Sequence, residues 1–131
     1  DRAIEDFTKV AALNPKHPFA YNNRGLAFAA KGQFDKAIED YGRAIGLNGK
    51  NAAAYMSRGS AFDSKGMIDK AIKDYDSAIL IKGDYTEAYY NRGIAYYKKG
   101  AKDKAVADFK KACSLGAEYG CENARALGEE R

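Results

Sequence analysis

Few residues in this 131-residue chain have the type and spacing to do chemistry. The soft ligands and nucleophiles are one histidine, His17, and two cysteines, Cys113 and Cys121. They are too few for a zinc site, and no Ser-His-Asp or Cys-His set assembles around them. The 13 glycines never form a phosphate-cradling loop. Arg24, Arg58 and Arg92 recur at a fixed interval, and so do Asp6, Asp40, Asp74 and Asp108. A guanidinium fork matches a carboxylate, so these two rows read as a structural ion-pair ladder rather than a ligand-binding row. Lys98, Lys99, Lys102 and Lys104 form the one basic cluster and read as a solvated turn. His17 reads as a junction residue. The residues therefore predict no catalysis, no metal and no cofactor.

The elements that would position these residues follow from a repeat. With 46% hydrophobic and 31% charged residues, the chain is apolar enough for a globular core. No apolar run approaches the roughly 18 residues of a membrane span. Lysine and arginine number 22 against 18 acids, interspersed along the chain, so there is no basic stripe for nucleic acid. Laid on a period of 34, the segments starting at Pro18, Ala52 and Thr86 share twelve identical positions, among them Ala20/Ala54/Ala88, Gly25/Gly59/Gly93 and Lys36/Lys70/Lys104.

Each unit predicts two helices. On the first, Tyr21, Gly25 and Phe28 fall at i, i+4 and i+7 on one face, and the glycine admits a close neighbour. Gly32 stops it. On the second, Phe34, Ala37, Ile38, Tyr41, Ala44 and Ile45 alternate large and small residues at helical period, a pattern suited to interlocking helices. Residues 1–13 match a second helix alone, with Ala3, Ile4, Phe7 and Val10 at the positions of Ala37, Ile38, Tyr41 and Ala44. Its first helix is missing, so we expect further repeats upstream in the parent protein and an exposed apolar face open to self-association. A more polar closing helix over Glu118–Leu127 is predicted to end the stack.

The period, the Tyr-Gly-Phe/Tyr pattern of the first helix and the Ala-Tyr/Phe-Ala pattern of the second resemble the tetratricopeptide repeat (TPR) family over nearly the whole chain. The resemblance implies an all-α, right-handed solenoid: residues 1–17 a half repeat, 18–51, 52–85 and 86–119 full repeats, and 120–131 a capping helix. It also implies a scaffold or adaptor without enzymatic activity that holds a partner peptide or protein segment in a concave groove. The groove would be lined by Phe19, Asn22, Asn23 and Leu26 of the first unit, Met56, Ser57 and Ser60 of the second, and Tyr90, Asn91, Ile94 and Tyr97 of the third. These positions vary between units while the packing positions do not. Asn23 and Asn91, with Ser57 between, resemble the asparagine ladder with which some family members grip a peptide backbone. The clamp for chaperone C-termini has lysine and asparagine where this chain has Asn22 and Leu26, so such a ligand is not expected. Two alternatives to the adaptor role stand: a self-assembly module, or the regulatory or recruiting arm of a larger enzyme.

Cys113 and Cys121 have seven residues between them. Their spacing resembles that of bacterial cysteine-rich secreted repeat proteins related to this fold, whose cysteines bridge the helices of a repeat. Two readings stay open: a bridge, which would argue for an exported or periplasmic protein, or two reduced cysteines serving as small core residues, as in a cytoplasmic one.

Overall fold

The computed structural model describes residues 1–128, which form eight helices: α1 (Arg2–Leu13), α2 (Ala20–Ala30), α3 (Phe34–Leu47), α4 (Ala52–Ser64), α5 (Ile68–Ile81), α6 (Thr86–Lys99), α7 (Lys102–Ser114) and α8 (Glu118–Gly128). Successive helices pack on each other along the chain, and among the first helices α4 also touches both α2 and α6. The result is an all-helical solenoid. Among the described residues, no helix is long and apolar enough to cross a membrane. Residues 129–131, the end of the expected capping segment, lie outside the described residues.

Helix pairs within a unit are fixed by a turn and by an interlock. The turn is a Schellman motif: Gly32 adopts φ 75°, its N–H donates to the Ala29 carbonyl, and the Gln33 N–H donates to that of Phe28. Gly66 and Gly100 close the next two units in the same way. The interlock places a second-helix ring over a first-helix glycine. A Cβ at Gly25 would stand 2.6 Å from the Tyr41 ring, and Gly59 and Gly93 are covered alike by Tyr75 and Phe109. Alanines fill the remaining gaps, with Ala37, Ala71 and Ala105 wholly buried. Each large ring so buried contributes roughly 1.5–3 kcal/mol.

The arginine and aspartate rows form the expected ladder, and each rung lies within one unit. Arg24 donates through Nε and Nη2 to Asp40 at 2.7 and 2.8 Å, Arg58 to Asp74 at 2.8 and 2.9 Å, and Arg92 to Asp108 at 2.8 and 2.7 Å. The three aspartates are buried, and the fork satisfies both oxygens of each. The hydrogen bond to aspartate outweighs burial and raises each arginine's pKa above its ordinary value. Tyr21 and Phe28, which the sequence placed on the glycine face, are only half-buried and flank the Arg24 guanidinium at 5.5 and 5.9 Å. Lys36, Lys70 and Lys104 stand over Phe28, Phe62 and Tyr96. Asp6, the unit-zero counterpart of Asp40, is exposed.

Between units, Lys65 pairs with Asp35 and Lys99 with Asp69, each reaching back 30 residues. The same offset from Lys31 leads to Asp1, which instead caps α1 by accepting the Ala3 and Ile4 N–H groups.

The end of the stack departs from the 34-residue phase. That phase puts an inter-unit junction after α7 and the cap at residue 120, whereas α8 begins at Glu118, the start predicted for the closing helix. At the earlier junctions the helix ends in extended backbone, at Asn48 and Lys82. Here the chain has Gly116, which takes φ 106° and forms the turn used inside the units, with the Ala117 N–H donating to Ala112. Gly120 then brings α8 against the backbone of α7, where a Cβ would meet the Phe109 carbonyl oxygen at 2.8 Å.

Candidate functional site

The residues expected to line the groove separate into two clefts and a remainder. The first cleft, about 270 Å³, opens among α2, α4 and α6 and takes in Leu26, Met56, Ser57, Ser60 and Asn91. Glu87 and Ser64 complete its polar side, and Phe34 and Tyr41 of α3 form its floor. The second, about 230 Å³, lies between α6 and α8 and takes in Ile94 and Tyr97, with Phe109 beneath and Asn123, Ala126 and Leu127 opposite. Phe19, Asn22, Asn23 and Tyr90 line neither cleft.

The remainder have local tasks. Phe19 is 63% exposed at the start of α2, edge-on to His17 at 6.3 Å. His17 accepts the Phe19 and Ala20 N–H groups through Nδ1 and so caps that helix. The Asn22 amide oxygen is buried without a hydrogen-bond partner among the described residues, so that acceptor does not face the groove. Tyr90 is held by the closing helix: its hydroxyl accepts from Asn123 Nδ2 at 2.9 Å, and its ring meets Tyr119 edge-on at 4.4 Å. Of the expected ladder Asn23, Ser57 and Asn91, the last two share a cleft, and Asn91 Nδ2 rests 3.5 Å from Met56 Sδ. Below Ser57 lies Tyr41, whose phenol is pushed up to about 12 chiefly by burial, with the Asp40 charge adding and a hydrogen bond with Ser57 opposing.

Charge in the groove is sparse. Lys98 pairs with Asp63 at 2.8 Å, which leaves that carboxylate 13% exposed. Glu87 makes no ion pair among the described residues. Of the other lysines of the basic cluster, Lys99 pairs with Asp69 and Lys104 covers the Tyr96 ring.

Sequence reasoning placed the closing helix from Glu118 but did not assign Asn123, Ala126 and Leu127 to the groove, because it read that helix as a polar end to the stack. The signal for them was Leu115-Gly116, a helix stop that ends α7 directly before α8. Cys113 and Cys121 are joined in a disulfide, with Cα atoms 4.7 Å apart, that ties α8 to α7.

Two models of a 34-residue helical repeat match this chain: one described as TPR repeat over residues 59–100, and one described as tetratricopeptide repeat over residues 18–51 and 86–118. The chain belongs to the tetratricopeptide repeat family. No curated protein sequence matches it. Among solved structures, a crystal structure of MamA is 39% identical with a TM-score of 0.81, the match covering 86% of this chain and 66% of that one. This TPR chain thus spans about two thirds of the length of that MamA chain. The TPR domain of Arabidopsis OM64 is 29% identical, TM-score 0.81, over 87% of this chain and 96% of that one. The second TPR domain of human RPAP3, in complex with the HSP70 peptide SGPTIEEVD, is 28% identical, TM-score 0.78, over 87% and 100%. Proteins of this family are in general interaction scaffolds rather than enzymes.

Proposed function

We propose that this TPR chain is a protein-interaction module that holds a segment of a partner protein along the face made by α2, α4 and α6. One observation carries the reading: residues that differ between units converge on a single cleft from three helices, while the identical residues are spent on turns, interlocks and ion pairs. A constant scaffold with a variable lining is what selection for a ligand produces. The related RPAP3 domain, which holds a peptide, supports a peptide as the ligand class. The amides and hydroxyls of Asn91, Ser57 and Ser60 supply donors and acceptors suited to a peptide backbone.

The test replaces Asn91 and Tyr97 together with alanine. Neither packs the interlock, and Tyr97 is 50% exposed. Circular dichroism and melting should stay unchanged, while calorimetric affinity for an isolated partner should fall by about 1–3 kcal/mol. Unchanged affinity would remove the groove from consideration.

A second reading, self-association, is favoured by α1. Phe7 and Val10 are only half-buried where their counterparts Tyr41 and Ala44 are 1% exposed, and Leu13 is 87% exposed.

A further inference from the structure

We infer that the segment held by this chain is neutral to basic and carries a bulky apolar side chain seated between α6 and α8, with a cationic residue three to five positions away facing Glu87. The inference rests on the groove reading above and adds the chemistry of the occupant. The cleft between α6 and α8 is walled by Ile94, Tyr97, Phe109, Ala126 and Leu127, and its size suits one large side chain rather than a backbone. Its amide is that of Asn123, which gives one Nδ2 hydrogen to Tyr90 and keeps its oxygen to accept an N–H, and its second Nδ2 hydrogen to donate to a carbonyl, of the occupant.

Charge decides the rest. Lys98 of α6 and Asp63 of α4 neutralise each other, and in the neighbouring cleft the carboxylate of Glu87 has no counter-ion among the described residues. An acidic segment would meet that charge without compensation, whereas a lysine or arginine would pair with it. The spacing follows from α6 itself. Glu87 and the pair Ile94 and Tyr97 lie seven to ten residues apart on one helix, which is about 10–15 Å at roughly 1.5 Å per residue. An extended chain covers that distance in about three to five residues.

Selection of random dodecapeptides displayed on phage against the full chain tests this. Enriched sequences should pair an aromatic or long aliphatic residue with a lysine or arginine three to five positions away, and should be depleted in aspartate and glutamate. Ala126 is exposed, so Ala126→Trp should fill the apolar cleft without disturbing the stack and weaken a synthesised winner at least tenfold by fluorescence anisotropy. Glu87→Lys should reverse the charge preference. Acidic winners, or winners indifferent to both substitutions yet lost on Asn91→Ala with Tyr97→Ala, overturn the occupant while leaving the groove. Winners indifferent to all of these changes, or no enrichment at all, overturn both.

Discussion

Asp74 and Asp69 stand five residues apart on α5 and do unlike work. Asp74 is 4% exposed and takes both arms of Arg58, whereas the side chain of Asp69 is 79% exposed and meets Lys99 in water. Removing one partner of a buried pair strands the other, while an exposed pair contributes little. Asp74→Ala should therefore cost about 3–5 kcal/mol in urea denaturation, and Asp69→Ala at most about 0.5 kcal/mol; equal losses would contradict the assignment of the rungs. The rungs were legible because identical arginines and aspartates recur at one offset. The seating of Tyr21 and Phe28 was not. Helical spacing says which residues share a face, but a half-buried aromatic can pack on a guanidinium as well as on a core, and only the position of Arg24 decides which.

At the scale of the element, α8 joins the body through three short-range devices: the Gly116 turn, the close approach at Gly120, and the bridge from Cys113 to Cys121. Its core side, Ala124 and Leu127, completes the cluster around Phe109. The bridge closes a short loop and should stabilise α8 by about 2–3 kcal/mol. Protein made under oxidising conditions and denatured without reductant should show no free thiol. Reduction, or Cys113→Ser with Cys121→Ser, should lower stability by that amount and speed amide exchange in α8, leaving α4 and α5 unchanged. Two titratable thiols in the unreduced protein would remove the bridge, and with it the argument for an oxidising compartment. The six helices of the three units were legible from turn glycines and apolar period. The closing helix was legible from Glu118, but the turn that joins it to α7 was not, because a repeat period extrapolates the next junction, and a single glycine in the place of Asn48 or Lys82 changes that junction's geometry.

Over the whole molecule, stability runs along one dimension, each unit being held by its neighbours. α1 packs chiefly on α2, and Ala11 is its single buried residue. Native-state hydrogen exchange should therefore be fastest in α1 and slowest in α4 and α5, which have neighbours on both sides. Exchange as slow in α1 as in α5 would mean that its apolar face is covered in solution, and sedimentation would then show a dimer. The ion pairs carry a further consequence, which belongs to heredity rather than to folding. Arginine finds its aspartate 16 residues ahead within its own 34-residue frame, and lysine finds its aspartate 30 residues behind in the preceding one. A gene that gained or lost one such frame by unequal crossing-over would hand every new arginine and lysine a carboxylate at the same offset. The array can thus change length in a single genetic event, and the length of the face made by its first helices can vary before any side chain does.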